Sequence, residues 1–143
     1  MQVMSEQEWK AFLVADPPRT GKLATVRKDG RPHVAPIWFD LDGDGTVVFT
    51  TGAETLKGKA IRRDPRVCLC VDDERPPFSF VIVEGKVDIS EDVDEMLVWA
   101  TRIGGRYMGA ESAGAYGRRN AVPGEVLVRL RPTHVVARAD IAD

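Results

Sequence analysis

The segment Gly21–Val67 constrains the fold most, because three turn-bounded strands run directly into a basic helix. Alternation predicts strands over Lys22–Arg27, Pro32–Asp40 and Thr46–Thr51, separated by Asp29-Gly30 and by Asp42-Gly43-Asp44-Gly45. Asp-Gly between alternating strands is a strong hairpin signal, since glycine accepts the positive φ that a tight turn requires. The third strand ends in Thr50-Thr51-Gly52, and the helix after it carries Lys57, Lys59, Arg62 and Arg63. Two hydroxyls, a glycine turn, a helix N-terminus and a lysine one turn later are the parts of a phosphate cradle.

The remaining chain adds strands to this start. Ser5-Glu6-Gln7-Glu8 is a capping box opening a helix with Trp9, Phe12 and Leu13 on one face, which stops before Asp16-Pro17-Pro18. Asp64-Pro65 ends the basic helix, and Arg66–Asp72 reads as a fourth strand. After the loop Glu74–Pro77, Phe78–Ile89 reads as a long fifth strand, with Gly85 marking a bulge or a close backbone approach. Glu91–Tyr107 is an amphipathic helix and Glu111–Arg119 a second, shorter one. Glu125–Arg131 alternates strictly and makes a sixth strand. Six mainly antiparallel strands with helices in the gaps predict a mainly β fold, a small Greek-key barrel, as one domain over residues 1–143.

Composition excludes several functions. A hydrophobic fraction of 43% with 29% charged residues is that of a soluble globular protein. No apolar run is long enough to span a bilayer, and Met1–Ser5 lacks a signal peptide's basic and apolar regions, so the cytoplasm is expected. The net charge of −2 is unevenly spread, acidic from Asp72 to Glu95 and arginine-rich from Arg102 to Arg138. A locally positive groove suits an anionic small molecule better than a nucleic-acid duplex. Cys68 and Cys70 alternate on one strand among apolar neighbours, which predicts buried reduced thiols.

Few residues carry chemistry of their own. Lys57 reads either as phosphate ligand or as part of a solvated helix face, with Leu56, Ala60 and Ile61 turned inward. Pro36-Ile37-Trp38-Phe39 is bulky at every position, either barrel core or the wall of a planar-ligand pocket, and its proline favours an edge strand. Asp42-x-Asp44-Gly45 lacks the glycine and bidentate glutamate of a calcium loop. His33 and His134 have no ligand-like spacing to cysteines or acids, so no metal site is expected. Gly104–Gly109 lacks a phosphate-loop Lys-Ser/Thr, and no nucleophile–histidine arrangement stands out. An enzyme built this way draws its chemistry from a bound cofactor.

Gly21–Val26, Asp29-Gly30-x-Pro32-x-Val34-x-Pro36-Ile37-Trp38-Phe39, Thr50-Thr51, Lys57, Ile61–Val67 and Val83-Glu84-Gly85, in this order, resemble the pyridoxamine 5′-phosphate oxidase-like split-barrel family. Within it, Arg106–Gly109, Tyr116–Asn120 and Pro123-Gly124-Glu125 are most similar to the flavin/deazaflavin oxidoreductases that use coenzyme F-420. The resemblance implies an FMN-binding split-barrel fold and a homodimer with cofactor sites at the interface. Val34, Ala35, Pro36, Ile37 and Trp38 would border the ring and ribityl chain, Thr50, Thr51 and Lys57 would hold the phosphate, and Lys59 and Arg62 would supplement it. Phe78 falls where relatives place an aromatic that the second subunit brings near the ring, and Thr55 stands where some have a phosphate-binding arginine. Arg106, Arg118 and Arg119 are candidates for the acidic tail of F-420. The function expected is hydride transfer from reduced F-420 to an unsaturated or heteroaromatic small molecule, with Tyr107 or solvent as proton donor. The alternatives are an FMN-dependent oxidoreductase of the same fold and a non-catalytic F-420 or haem binder; pyridoxamine phosphate oxidation itself is disfavoured by the short chain and the lack of a distinct second phosphate site.

Overall fold

The computed structural model describes residues 1–143. In chain order the elements are β1 (Gln2–Val3), α1 (Glu6–Leu13), β2 (Gly21–Val26), β3 (Pro32–Ile37), β4 (Asp40–Leu41), β5 (Val47–Gly52), α2 (Leu56–Arg63), β6 (Arg66–Asp73), β7 (Ser79–Ser90), α3 (Val93–Met108), α4 (Ala113–Asn120) and β8 (Glu125–Ala139). They form one antiparallel sheet in the order β3-β2-β6-β7-β8-β5-β4, with β1 added to β8. Its eight strands comprise the six expected and two pieces of two residues each, β1 and β4.

The piece β4 explains why the sheet curls. Pro32–Asp40, expected as one strand, is interrupted at Trp38 and Phe39. Before the break it pairs with β2 at one edge of the sheet, and after it with β5 at the other. A sheet whose two edges belong to one continuous run is drawn round on itself, which makes a split barrel. The break is stabilised locally. Phe39 is fully buried, its N–H is 3.4 Å from the Tyr107 hydroxyl, and its carbonyl accepts from the Arg106 guanidinium. Both main-chain groups thus find partners without a neighbouring strand.

The interior is filled by alternate residues of the strands. On β6, Val67, Leu69 and Val71 are buried in the core, while Cys68 and Cys70 face outward, half-exposed. The expectation of buried thiols is corrected: the side-chain period of two puts the cysteines on the opposite face from the core valines. α1 closes part of the barrel, with Leu13 fully buried and Trp9 and Phe12 packed against the core. Its capping box forms as expected, Glu8 N donating to Ser5 Oγ (3.1 Å) and Ser5 N to Glu8 Oε1 (2.9 Å). Outside the barrel, α3 lays Met96 and Trp99 on Val48 and Leu127, a second small core.

β8 is longer than the alternating run Glu125–Arg131, continuing through Pro132 to Ala139. The pairing shifts at Glu84/Gly85, where Gly85 faces Pro132 and Glu84 faces His134, leaving Thr133 as the extra residue of a bulge. A Cβ on Gly85 would stand 2.0 Å from the Arg131 carbonyl oxygen, so only glycine permits this approach. No helix is long and apolar enough to cross a membrane.

Candidate functional site

A cavity of about 330 Å³ opens beside the split, lined in part by the β5–α2 turn. Thr55 caps α2: its hydroxyl oxygen accepts from Gly58 N (3.1 Å) and donates to Gly52 O (2.8 Å). The helix then sits so close to the strand end that a Cβ on Gly58 would stand 2.1 Å from Gly52 O. This packing places Lys57 in the cavity with Thr50, Thr51 and Gly52. Thr55 is therefore a capping residue here, with its oxygen already committed.

The two charged side chains lining the cavity are Lys57 and Glu125. Burial pushes the Lys57 ammonium down and Glu125 partly offsets this; burial pushes the Glu125 carboxyl up and Lys57 partly offsets that. Neither has an ion-pair or hydrogen-bond partner, whereas Lys59 pairs with Glu54 (3.5 Å) and Arg62 with Glu91 (3.1 Å).

Pro36, Ile37 and Trp38 also line the cavity, together with Ala100 and Ile103 of α3. The Trp38 ring is stacked on Tyr107, centroids 5.2 Å apart and planes within 5°, and Tyr116 leans on it at 5.6 Å. Tyr107 donates its hydroxyl proton to Arg19 O (2.7 Å), and burial holds its pKa above the ordinary tyrosine value. A proton held this way is poorly suited to transfer, so Tyr107 serves as a support for the indole. The lining thus brings an apolar aromatic surface together with one cation and two hydroxyls.

Of the residues expected at a cofactor, the fold brings Pro36, Ile37, Trp38, Thr50, Thr51 and Lys57 together in this cavity. Val34 is 65% exposed on the edge strand β3, and Ala35 shares that strand outside the cavity. Arg62 is held by Glu91, and Lys59 lies on another face of α2, in a basic concavity with Arg27, Lys28, Arg31 and Arg63. Arg106 is corrected outright: its guanidinium donates to the carbonyls of Phe39 and Leu13 (2.6 Å to the latter) and lies 4.8 Å over the Phe39 ring, so it is a brace of the fold. Arg118 and Arg119 are exposed on α4, whose last residue, Asn120, lines the cavity. Phe78, 41% exposed, precedes β7, whose first residues pair with the far end of β8; Glu125 at the cavity is the opposite end of that strand. Sequence reasoning missed Ala100, Ile103, Asn120 and Glu125. Only Glu125 carried a signal, as an acid opening an otherwise apolar-and-arginine strand.

The curled sheet, its break at Trp38-Phe39 and the cavity beside it define an antiparallel split-barrel domain. The family described as pyridoxamine 5′-phosphate oxidase matches residues 5–139, and the chain belongs to it. Pyridoxine/pyridoxamine 5′-phosphate oxidases of Myxococcus xanthus and Ehrlichia ruminantium are each 34% identical to it. The first aligns over 98 residues, 68% of this chain and 47% of that protein; the second over 88 residues, 62% and 45%. The chain spans about half the length of these curated relatives. Among solved structures, a conserved hypothetical protein of Mycobacterium tuberculosis has a TM-score of 0.83 at 29% identity, covering 96% of this chain and 86% of that one. A protein described as an F-420 reductase has a TM-score of 0.70 at 30% identity, covering 87% and 94%.

Proposed function

We propose that the protein is an F-420-dependent oxidoreductase that reduces an unsaturated or heteroaromatic small molecule. The observation that carries this is the cavity itself, lined by a partnerless Lys57, the Thr50 and Thr51 hydroxyls and the braced Trp38. A phosphate-bearing planar cofactor suits this lining, with Lys57, Thr50 and Thr51 toward its phosphate and Pro36–Trp38 along its ring and side chain. When bound, a reduced deazaflavin supplies a hydride; the chain's residues orient it and exclude water. Similarity to the F-420 reductase supports the deazaflavin over FMN. So does the basic concavity on α2, where Arg27, Lys28 and Arg63 have no acidic partner and could receive an acidic tail. That role passes to it from Arg106.

The site is read as shared between two copies. Val34, Ala24, Cys68, Cys70 and Ile82 lie on the outward face of neighbouring strands, with Lys22 and Glu84 among them. Phe78 cannot reach the cavity of its own chain, so a second copy is needed to bring it there.

Side-by-side fluorescence titration with oxidised F-420 and with FMN tests the assignment. Tight F-420 binding with weak FMN binding is expected. A preference for FMN would move the protein to the FMN-dependent reading, and binding of F-420 without turnover on any acceptor would make it a carrier. A Soret band on purification would restore the haem reading.

A further inference from the structure

We propose that Glu125 makes the cavity selective for phosphorylated polyols over simple phosphates, its carboxylate accepting from ligand hydroxyls while Lys57 holds the phosphate. The inference rests on the reading of this cavity as the cofactor site and assigns a residue that reading does not use.

A carboxylate is an unexpected lining for an anion cradle. Glu125 opens β8 and pairs with Gly52, the last residue of β5, so strand register fixes it beside the cradle. Its Oε1 lies 3.8 Å from the position a Cβ on Gly52 would occupy. Lys57 enters the same space from α2. The two opposite charges nevertheless stay open, while Arg129, four residues further along β8, is paired with Glu95. Burial without a partner is costly for both groups, and desolvation is the first cause of each one's shift toward neutrality.

The ligand that relieves both must carry an anion and hydrogen-bond donors a few atoms apart. An ionised carboxylate only accepts, so Glu125 needs donors. Inorganic phosphate gives Lys57 its anion, but its P–OH groups can reach Glu125 only by bringing the phosphate charge against the carboxylate. A sugar-alcohol chain ending in phosphate satisfies Lys57 with one end and Glu125 with its hydroxyls. Asn120, which can donate or accept, and the hydroxyls of Thr50 and Thr51 line the same space and suit the same chain.

The test is calorimetric titration of the full chain with ribitol 5-phosphate and with inorganic phosphate, in wild type, Glu125→Gln, Glu125→Ala and Lys57→Ala. Wild type is expected to favour ribitol 5-phosphate by about tenfold or more, the scale of a hydrogen bond to a charged group. Both Glu125 variants should weaken ribitol 5-phosphate, strengthen inorganic phosphate and bring the ratio near unity. The readout is a ratio, so partial loss of folded protein cancels. No wild-type preference, an unchanged ratio in both variants, or tighter ribitol 5-phosphate binding without the carboxylate overturns the inference. Lys57→Ala separates the two readings: it should weaken both ligands. If neither ligand responds to it, the cavity reading fails and takes this inference with it; a Lys57 effect with a ratio indifferent to Glu125 overturns this inference alone.

Discussion

Tyr107 stacks on Trp38 with ring planes 5° apart, and the same tyrosine's hydroxyl lies 3.4 Å from the Phe39 N–H at the break in the strand. One side chain thus supports the cavity wall and the point where the barrel splits. Arg106, next to it on α3, takes the Phe39 carbonyl. The end of α3 therefore decides where Pro32–Leu41 leaves one edge of the sheet for the other, and with it the orientation of the indole.

Tyr107→Phe keeps the ring and removes the hydroxyl. Arg19 O and Phe39 N lose their partner, which should cost about 1–3 kcal/mol in urea unfolding. The pH dependence has a definite sign. Burial raises the Tyr107 pKa above its ordinary 10.0, so folding holds the proton that the unfolded chain releases. Its contribution is whole below 10.0 and is lost as pH rises beyond it. Tyr107→Phe should unfold less steeply than wild type between neutral and strongly alkaline pH; parallel curves would remove Tyr107 from this role.

Lys57→Ala should weaken cofactor binding roughly ten- to a hundredfold, the equivalent of about 1.5–3 kcal/mol for a charge-assisted contact. Thermal stability should hardly change, because Lys57 makes no ion pair or hydrogen bond and its desolvation cost offsets its attraction to Glu125. A variant that binds F-420 and FMN as tightly as wild type would refute the phosphate assignment.

Gly58→Ala distinguishes helix propensity from close packing. In an ordinary helix interior the change gains about 1 kcal/mol. Here the new methyl would stand 2.1 Å from Gly52 O and 3.0 Å from Ala53 O, both backbone atoms. The helix must move off the strand end, so roughly 1–3 kcal/mol of stability should be lost and cofactor affinity with it. A higher melting temperature with intact binding would show that α2 is free to shift.

Phe78→Gly tests the shared site. Phe78 has φ of 64°, in the left-handed region, and is 41% exposed, so glycine should leave folding stability equal or improve it by about 1 kcal/mol. Cofactor affinity should nevertheless fall, since the aromatic is expected to act on the other copy's ring. Unchanged affinity in a folded Phe78→Gly protein would exclude that contribution.

Local signals were legible wherever neighbouring residues decide them. The hairpin at Asp29-Gly30 forms with Gly30 at φ 87°, and the turn at Asp42–Gly45 closes a hairpin with Gly45 at φ 91°. The cap at Ser5, the strand alternation and the bulge at Gly85 are of the same kind. Even the proline reading of β3 as an edge strand follows from local hydrogen-bond loss, and the sheet ends there. The C-terminal half of β8 escaped because Pro132 and Thr133 break the alternation at the bulge.

By itself, then, the amino-acid sequence determined the six main strands up to Arg131, the helices, their turns and the grouping of Thr50-Thr51-Gly52 with Lys57, because periodicity, turn chemistry and capping act within a few residues. Tertiary structure alone decided the break at Trp38-Phe39, since it depends on Arg106 and Tyr107, contacts 67 and 68 residues away. It also decided which arginines are free and which are braces, and it set Glu125 opposite Lys57 through the register of β5 against β8. Charge and residue type are written in the chain, but burial and partnership, which fix what a charge can do, arise only when distant segments share one space.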